Sequence, residues 1–233
     1  MVNPTCSQDL DPADSLRRPE EMALPDARMG AGTYAQRRLD GHHHAISSLT
    51  FGKAVPDDVR IHFETAKNLF LYSWCVYRFY MVAEQYALTT LEFGLRSKFI
   101  DEGLLKKDDD RVPGLKFLLR TARERGMISD ARFTPRLDIA SEVARHRHFL
   151  EVSQTMREQG LTEILYDDSA VGPSEEDLAI DWLEKVADSL PDIRNMHGHG
   201  TGNLYPTVFR TFVIVHNIIG QLFEDGHGPL QTT

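Results

Sequence analysis

Residues 56–99 read PDDVRIHFETAKNLFLYSWCVYRFYMVAEQYALTTLEFGLRSKF, and the spacing of their large apolar side chains decides the fold class. Phe63, Ala66, Phe70, Trp74, Tyr77, Met81, Leu88, Leu91, Leu95 and Phe99 step mainly at three and four residues, the period of an α-helix. Pro56 is tolerated in a first turn, Asp57 and Asp58 complement the positive end of a helix dipole, and no further Pro or Gly appears before Gly94. An unbroken helix of this length would extend about 66 Å. One helix and two helices broken near Arg78 to Tyr80 are both open. The rings between Phe70 and Tyr80 are too many for one stripe, so they are expected to be buried on more than one side, in the core or against a second chain.

The same period recurs toward the C-terminus. Pro113 opens a segment that runs to Arg125 and stops at Gly126, Thr134 and Pro135 open another that ends near Gly160, and Ser174 precedes three acids as an N-cap. Leu178, Trp182, Val186 and Leu190 follow at four-residue steps, and an apolar segment from Asn203 or Tyr205 to Phe223 is long enough for a buried helix despite its β-branched residues. With no alternating run elsewhere and no internal repeat, the expected fold is an all-α bundle. Its expected organisation is a mostly irregular N-terminal arm over residues 1–55, a helical bundle over 56–226 and a tail over 227–233. A short helix at Tyr34 to Leu39 is one option within the arm.

The 233 residues, 41% hydrophobic and 26% charged, have ordinary globular composition and exclude collagen-like, wholly disordered and disulfide-scaffold classes. Cys6 and Cys75 cannot form a disulfide framework or a Cys-only zinc site, which points to a cytoplasmic protein. The polar N-terminus does not read as a signal peptide, and no apolar run is long enough to span a bilayer. A net charge of −9 argues against coating long stretches of phosphate backbone. That total is uneven: residues 111–148 carry 9 Lys and Arg against 4 Asp and Glu, whereas residues 149–233 carry 4 against 14. Arg145 and Arg147, within a run of alternating Arg and His, read as a solvated helix face or as substrate-binding residues for RNA. The triplet His42, His43, His44 reads as an exposed loop, because adjacent loop residues point apart and Asp40 is the only nearby carboxylate.

The most unusual stretch is Pro191-Asp-Ile-Arg-Asn-Met-His-Gly-His-Gly200. Arg194 is a permanent cation whose planar fork suits phosphate oxygens, and His197 and His199 exchange protons near neutral pH. Together they suffice for transesterification at an RNA phosphate without a metal or other cofactor. On a straight helix His199 lies about 140° from Arg194 and His197 about 60°. An end or bulge of the helix at Gly198 would bring His199 round. A surface pair of Arg194 with Asp192, in a Gly-rich connector, is an equally open reading. A zinc pair of His197 and His199 would need a third ligand, and His216 sits in an apolar helix where a satisfied core histidine is expected. Arg78, Glu84 and Glu92 are polar residues on an apolar segment. Buried ion pairing is expected for them, and support of Arg194 by Glu92 is the alternative.

Arg194, Asn195, His199 and Gly200 resemble the signature of the HEPN (higher eukaryotes and prokaryotes nucleotide-binding) family, an Arg followed after four to six residues by His. An amphipathic helix before the motif, a buried helix after it and the upstream run Leu91, Glu92, Leu95, Arg96 extend the resemblance over residues 56–226. It implies a helical bundle, a homodimer whose two motifs face each other, and metal-independent endoribonuclease activity in toxin or antiviral defence. Arg194, His199 and Asn195 are then the catalytic candidates, with His197 and Glu92 accessory. Some members are silent and serve as dimerisation modules that bind a regulatory protein or a nucleotide, which is the alternative function.

Overall fold

The computed structural model describes residues 12–30, 39–107, 113–198 and 208–223. Among them there are eight α-helices and no strand: α1 Leu39–Ser47, α2 Asp57–Tyr72, α3 Phe79–Asp101, α4 Leu115–Glu124, α5 Arg136–Gln159, α6 Glu175–Ala179, α7 Trp182–Gly198 and α8 Phe209–Phe223. The all-α expectation holds. Tyr34 to Arg38 and the tail 227–233 lie outside the described residues.

The long apolar run is two helices. A tight turn at Ser73 to Arg78 folds α3 back along α2, so that Phe70 meets Tyr80 with ring centroids 5.5 Å apart and His62 meets Phe93 at 4.9 Å. The 23-residue α3 is the central element, because α2 and α8 pack on it from two sides. At Gly94 the two neighbours converge: a Cβ built there would lie 3.6 Å from both Val59 and Ile219. The core gathers Phe63, Tyr80, Leu88, Leu91, Leu95, Phe99 and Phe212, all fully buried. Burial of side chains of this size contributes roughly 1.5–3 kcal/mol each.

The aromatic turn is covered by the chain's own arm, which explains its density without a second copy. Asp26 is buried, its backbone N–H donates to the Trp74 carbonyl at 2.9 Å, and its carboxyl accepts the Tyr77 N–H at 2.9 Å. Burial pushes the Asp26 carboxyl up, but the Arg28 guanidinium and the Tyr77 and Arg28 N–H groups outweigh it and hold the group below the usual carboxylate range. Arg78 joins the same network through Asp14 at 2.7 and 2.8 Å.

The expectation of an irregular arm is corrected in its described part. Three short 3-10 turns occupy Pro12–Asp14, Pro19–Glu21 and Ala27–Gly30, and α1 follows. The reading of His42 as an exposed loop residue is also overturned. His42 stacks on Phe70 at 4.3 Å, and its Nε2 hydrogen-bonds the Phe70 carbonyl at 2.8 Å, whereas His43 and His44 remain exposed.

Glycine stops and caps fall where the sequence puts them. Gly126 and Gly160 take φ of 70° and 62° after α4 and α5, a left-handed conformation that costs other residues more. Ser174 and Asp177 form a reciprocal capping box on α6. The continuous stripe from Leu178 to Leu190 is interrupted, however. The chain leaves α6 through an extended Ile180, Asp181 caps α7 with its side chain accepting the Glu184 N–H at 2.8 Å, and Leu178 is left exposed.

Candidate functional site

The helix α7 continues through the first half of the motif as far as Gly198, with Pro191 buried inside it. Proline has no N–H to donate, so one intrahelical bond is missing immediately before the polar segment. Arg194 and His197, three residues apart, both turn toward α3, as a regular helix requires. They engage two different carboxyl groups there.

Arg194 meets Glu92, with Nη2 3.4 Å from Oε2. The other oxygen of Glu92 accepts from Arg96 one turn along α3. Glu92 is 8% exposed and Arg194 40%, so a buried carboxyl group anchors one edge of a guanidinium that still faces solvent. Asn195 is exposed, and its Oδ1 lies 3.5 Å from Arg194 Nη1, at the outer limit of a hydrogen bond. The Asp192 alternative finds no support, since Arg194 takes Glu92 as its acidic partner.

His197 is committed to the interior. Its side chain is 2% exposed, its Nε2 hydrogen-bonds Glu84 Oε2 at 2.6 Å, and Thr211 on α8 donates to the other Glu84 oxygen at 2.5 Å. This group ties α7, α3 and α8 together at one level of the bundle. Glu84 and Glu92 lie two turns apart on α3, about 12 Å along its axis. The histidine and the arginine therefore occupy separate sites, and His197, expected as an accessory residue, makes a buried contact that supports the bundle. His197 Nδ1 is buried with no hydrogen-bond partner among the described residues.

His199 and Gly200 lie outside the described residues. So do 201–207, and the chain is next described at Val208.

No match is found to any family model, curated protein or solved structure.

Beside Arg96 a cleft of about 450 Å³ opens between α2, α3 and the start of the α3–α4 connection. Phe93 and Ile100 form an apolar wall, and Arg96, Lys106 and Lys107 supply positive charge against Asp58 and Asp101. Its size falls in the usual range for small-ligand sites, roughly 300–1,000 Å³. Nothing in the sequence signals this cleft, because Lys106 and Lys107 follow the end of α3 and share no helical period with Phe93 and Arg96.

The expected RNA contacts on α5 divide. Arg147 is held in two contacts by Asp177, one of them at 3.2 Å, and this pairing keeps the Asp177 carboxyl at about 2. Arg147, read as a solvated or a substrate-binding residue, is engaged as a clamp between α5 and α6. Arg145 stays exposed, but neither arginine takes part in the Arg194–Glu92 or His197–Glu84 groups. His216 hydrogen-bonds the Thr50 carbonyl at 2.7 Å and stacks on Phe51, the satisfied histidine expected from its helix. Among the described residues no three His, Cys, Asp or Glu side chains form a metal-sized group. No helix among them is long and apolar enough to cross a membrane.

Proposed function

We propose that this chain is a metal-independent endoribonuclease of HEPN type, acting as a homodimer in a toxin or defence setting. The observation that carries the reading is Arg194, a solvent-facing guanidinium fixed by a buried carboxyl group that also holds Arg96. A cation positioned in this way meets an anionic phosphate without having to be ordered first, which lowers the cost of binding and of stabilising developing charge.

In the proposed reaction His199 takes the proton of a ribose 2′-hydroxyl, whose oxygen forms a bond to phosphorus. The bond from phosphorus to the 5′-oxygen breaks, and that oxygen leaves with a proton from solvent or a general acid. Arg194 stabilises the charge on the pentacoordinate phosphoryl group, and the product end is a 2′,3′-cyclic phosphate. Asn195 orients the guanidinium. The basic cleft beside Arg96 lies along the same helix and offers a path for the flanking RNA strand.

The test is incubation of the purified chain with total RNA in EDTA, beside Arg194→Lys and His199→Ala. Cyclic-phosphate ends in EDTA and a loss on the order of 10² to 10⁴ in rate for either variant are expected. Arg194→Lys fails because an ammonium keeps the charge but loses the planar two-pronged contact. Intact RNA in the presence of a folded wild-type bundle returns the reading to a silent helical module.

A further inference from the structure

We infer that the cleft between α2 and α3 is a guanine subsite, in which Phe93 stacks one base of a single-stranded RNA, Asp58 reads its edge and Arg96 holds its phosphate. The inference rests on the ribonuclease reading for its macromolecular substrate, and it adds which base lies beside the cut.

The register of the two helices brings these residues together. Val59 of α2 lies against the Gly94 position of α3, so Asp58, the neighbour of Val59, and Phe93, the neighbour of Gly94, stand at one level of the bundle and both line the cleft. His62, one turn along α2 from Asp58, packs on the Phe93 ring at 4.9 Å and shares a hydrogen bond of 2.9 Å with the Tyr86 hydroxyl through Nδ1. Phe93 is thereby braced, yet it is 36% exposed and forms part of the cleft wall. A ring held in place with part of its surface in an open cleft is a stacking platform for a base.

The charges in the cleft select a base rather than a bare anion. Arg96 is offset by Glu92, and Lys106 and Lys107 are matched by Asp58 and Asp101. None of these last four side chains takes an ion pair or a hydrogen bond among the described residues. A site so balanced does not gather phosphate by charge alone, so its ligand must also satisfy a carboxylate. Guanine does. Its Watson–Crick edge presents the ring N1–H beside the 2-amino group, two donors that match the two oxygens of one carboxylate. Adenine and cytosine set an amino donor beside a ring-nitrogen acceptor, and uracil sets its N–H between two carbonyls, so each turns a lone pair toward the acid. Asp101 lies about 12 Å farther along α3 than Phe93, which leaves Asp58 as the carboxylate at the level of the ring.

Arg96 supplies the phosphate contact. It follows Phe93 by three residues, so the two share one face of α3. Its Nη2 takes Glu92 and its Nε is buried with no hydrogen-bond partner among the described residues, whereas no described residue engages Nη1. Arg194 takes the other oxygen of Glu92, so the two guanidiniums flank one carboxyl group. A strand with a phosphate on Arg96 presents the neighbouring phosphate to Arg194, and the guanine lies beside the scissile bond.

Guanosine 3′-monophosphate, which has no downstream bond to cleave, is the probe. Calorimetric titration of the full chain should show it binding at least about tenfold more tightly than the adenosine, cytidine and uridine analogues or inorganic phosphate. Phe93→Ala should weaken its binding on the order of tenfold. Asp58→Asn should abolish the preference for guanosine over inosine 3′-monophosphate, which lacks the 2-amino group, whereas a purely structural role for Asp58 would leave that preference intact. Both positions are exposed, so the helical circular dichroism of the two variants should match wild type. Equal affinity for the four nucleotides, binding no tighter than that of inorganic phosphate, or guanosine binding unchanged in either variant would overturn the inference. Selective guanosine binding with these variant effects, in a chain that leaves RNA intact, would keep the subsite and remove the ribonuclease reading. Cleavage of RNA with no guanine preference beside the cut and no guanosine binding would do the reverse.

Discussion

Replacing His197 with Ala tests whether the motif's first histidine belongs to the core or to the chemistry. The substitution removes the partner of a Glu84 carboxyl that is 9% exposed, leaving Thr211 as its remaining donor, and opens a void where an imidazole at 2% exposure had been. Leaving a buried hydrogen-bonding group short of its partner and emptying the site of a buried ring together cost about 3–5 kcal/mol. For a domain of this size each kcal/mol corresponds to roughly 2–4 °C, so the midpoint of thermal unfolding should fall by about 6–20 °C. Urea unfolding of His197→Ala, Glu84→Gln and the double variant gives the coupling between the two groups directly. The double variant should be less destabilised than the sum of the singles, because the buried carboxyl no longer waits for a partner. An unfolding midpoint for His197→Ala within 2 °C of wild type (well below the ~6 °C expected), combined with abolished cleavage, would refute the structural assignment and return His197 to the reaction.

Three further outcomes follow from the same contacts. The Asp177 carboxyl, held at about 2 by Arg147, lies below its ordinary 3.8, so its contribution to stability is present above about pH 4 and is lost as pH falls toward 2. The stability gap between wild type and Asp177→Asn, followed by urea unfolding, should close over that window; a gap independent of pH would show that the clamp does not couple to folding. Asp26→Ala leaves the Tyr77 N–H without its acceptor and Arg28 with Asp14 as its remaining carboxylate partner, so limited proteolysis should cut within residues 12–47 faster than in wild type, and an unchanged pattern would mean the arm is held by other contacts. Gly198→Ala meets no described atom within 4 Å and should gain up to about 1 kcal/mol by favouring continued helix, yet reduce cleavage by keeping His199 turned from Arg194. Equal or higher cleavage in this variant would sink the requirement that the chain leave the helix at Gly198.

What was legible in the sequence and what was not divides by the range of the interactions involved. Gly126, Gly160, Ser174 and Pro56 announce helix ends because caps are made within a few residues, and the structure places boundaries at or beside each of them. The covering of the aromatic turn is different in kind. Asp26 reaches Tyr77 across 51 residues and His42 reaches Phe70 across 28, and neither contact leaves a periodic trace in the chain. An excess of rings signals that something covers them, but a second chain and the chain's own arm satisfy that demand equally. The site shows both cases. Helix geometry alone puts Arg194 and His197 on one side of α7, and a glutamate in an apolar helix implies a buried partner. It does not say which glutamate takes which cation. That depends on how α7 is set along α3, since Glu84 and Glu92 are separated by two turns while their partners are separated by less than one. Long side chains reaching apart from adjacent turns give the arginine an edge in solvent and bury the histidine against Glu84, so one helix face serves an exposed contact and a core contact at once.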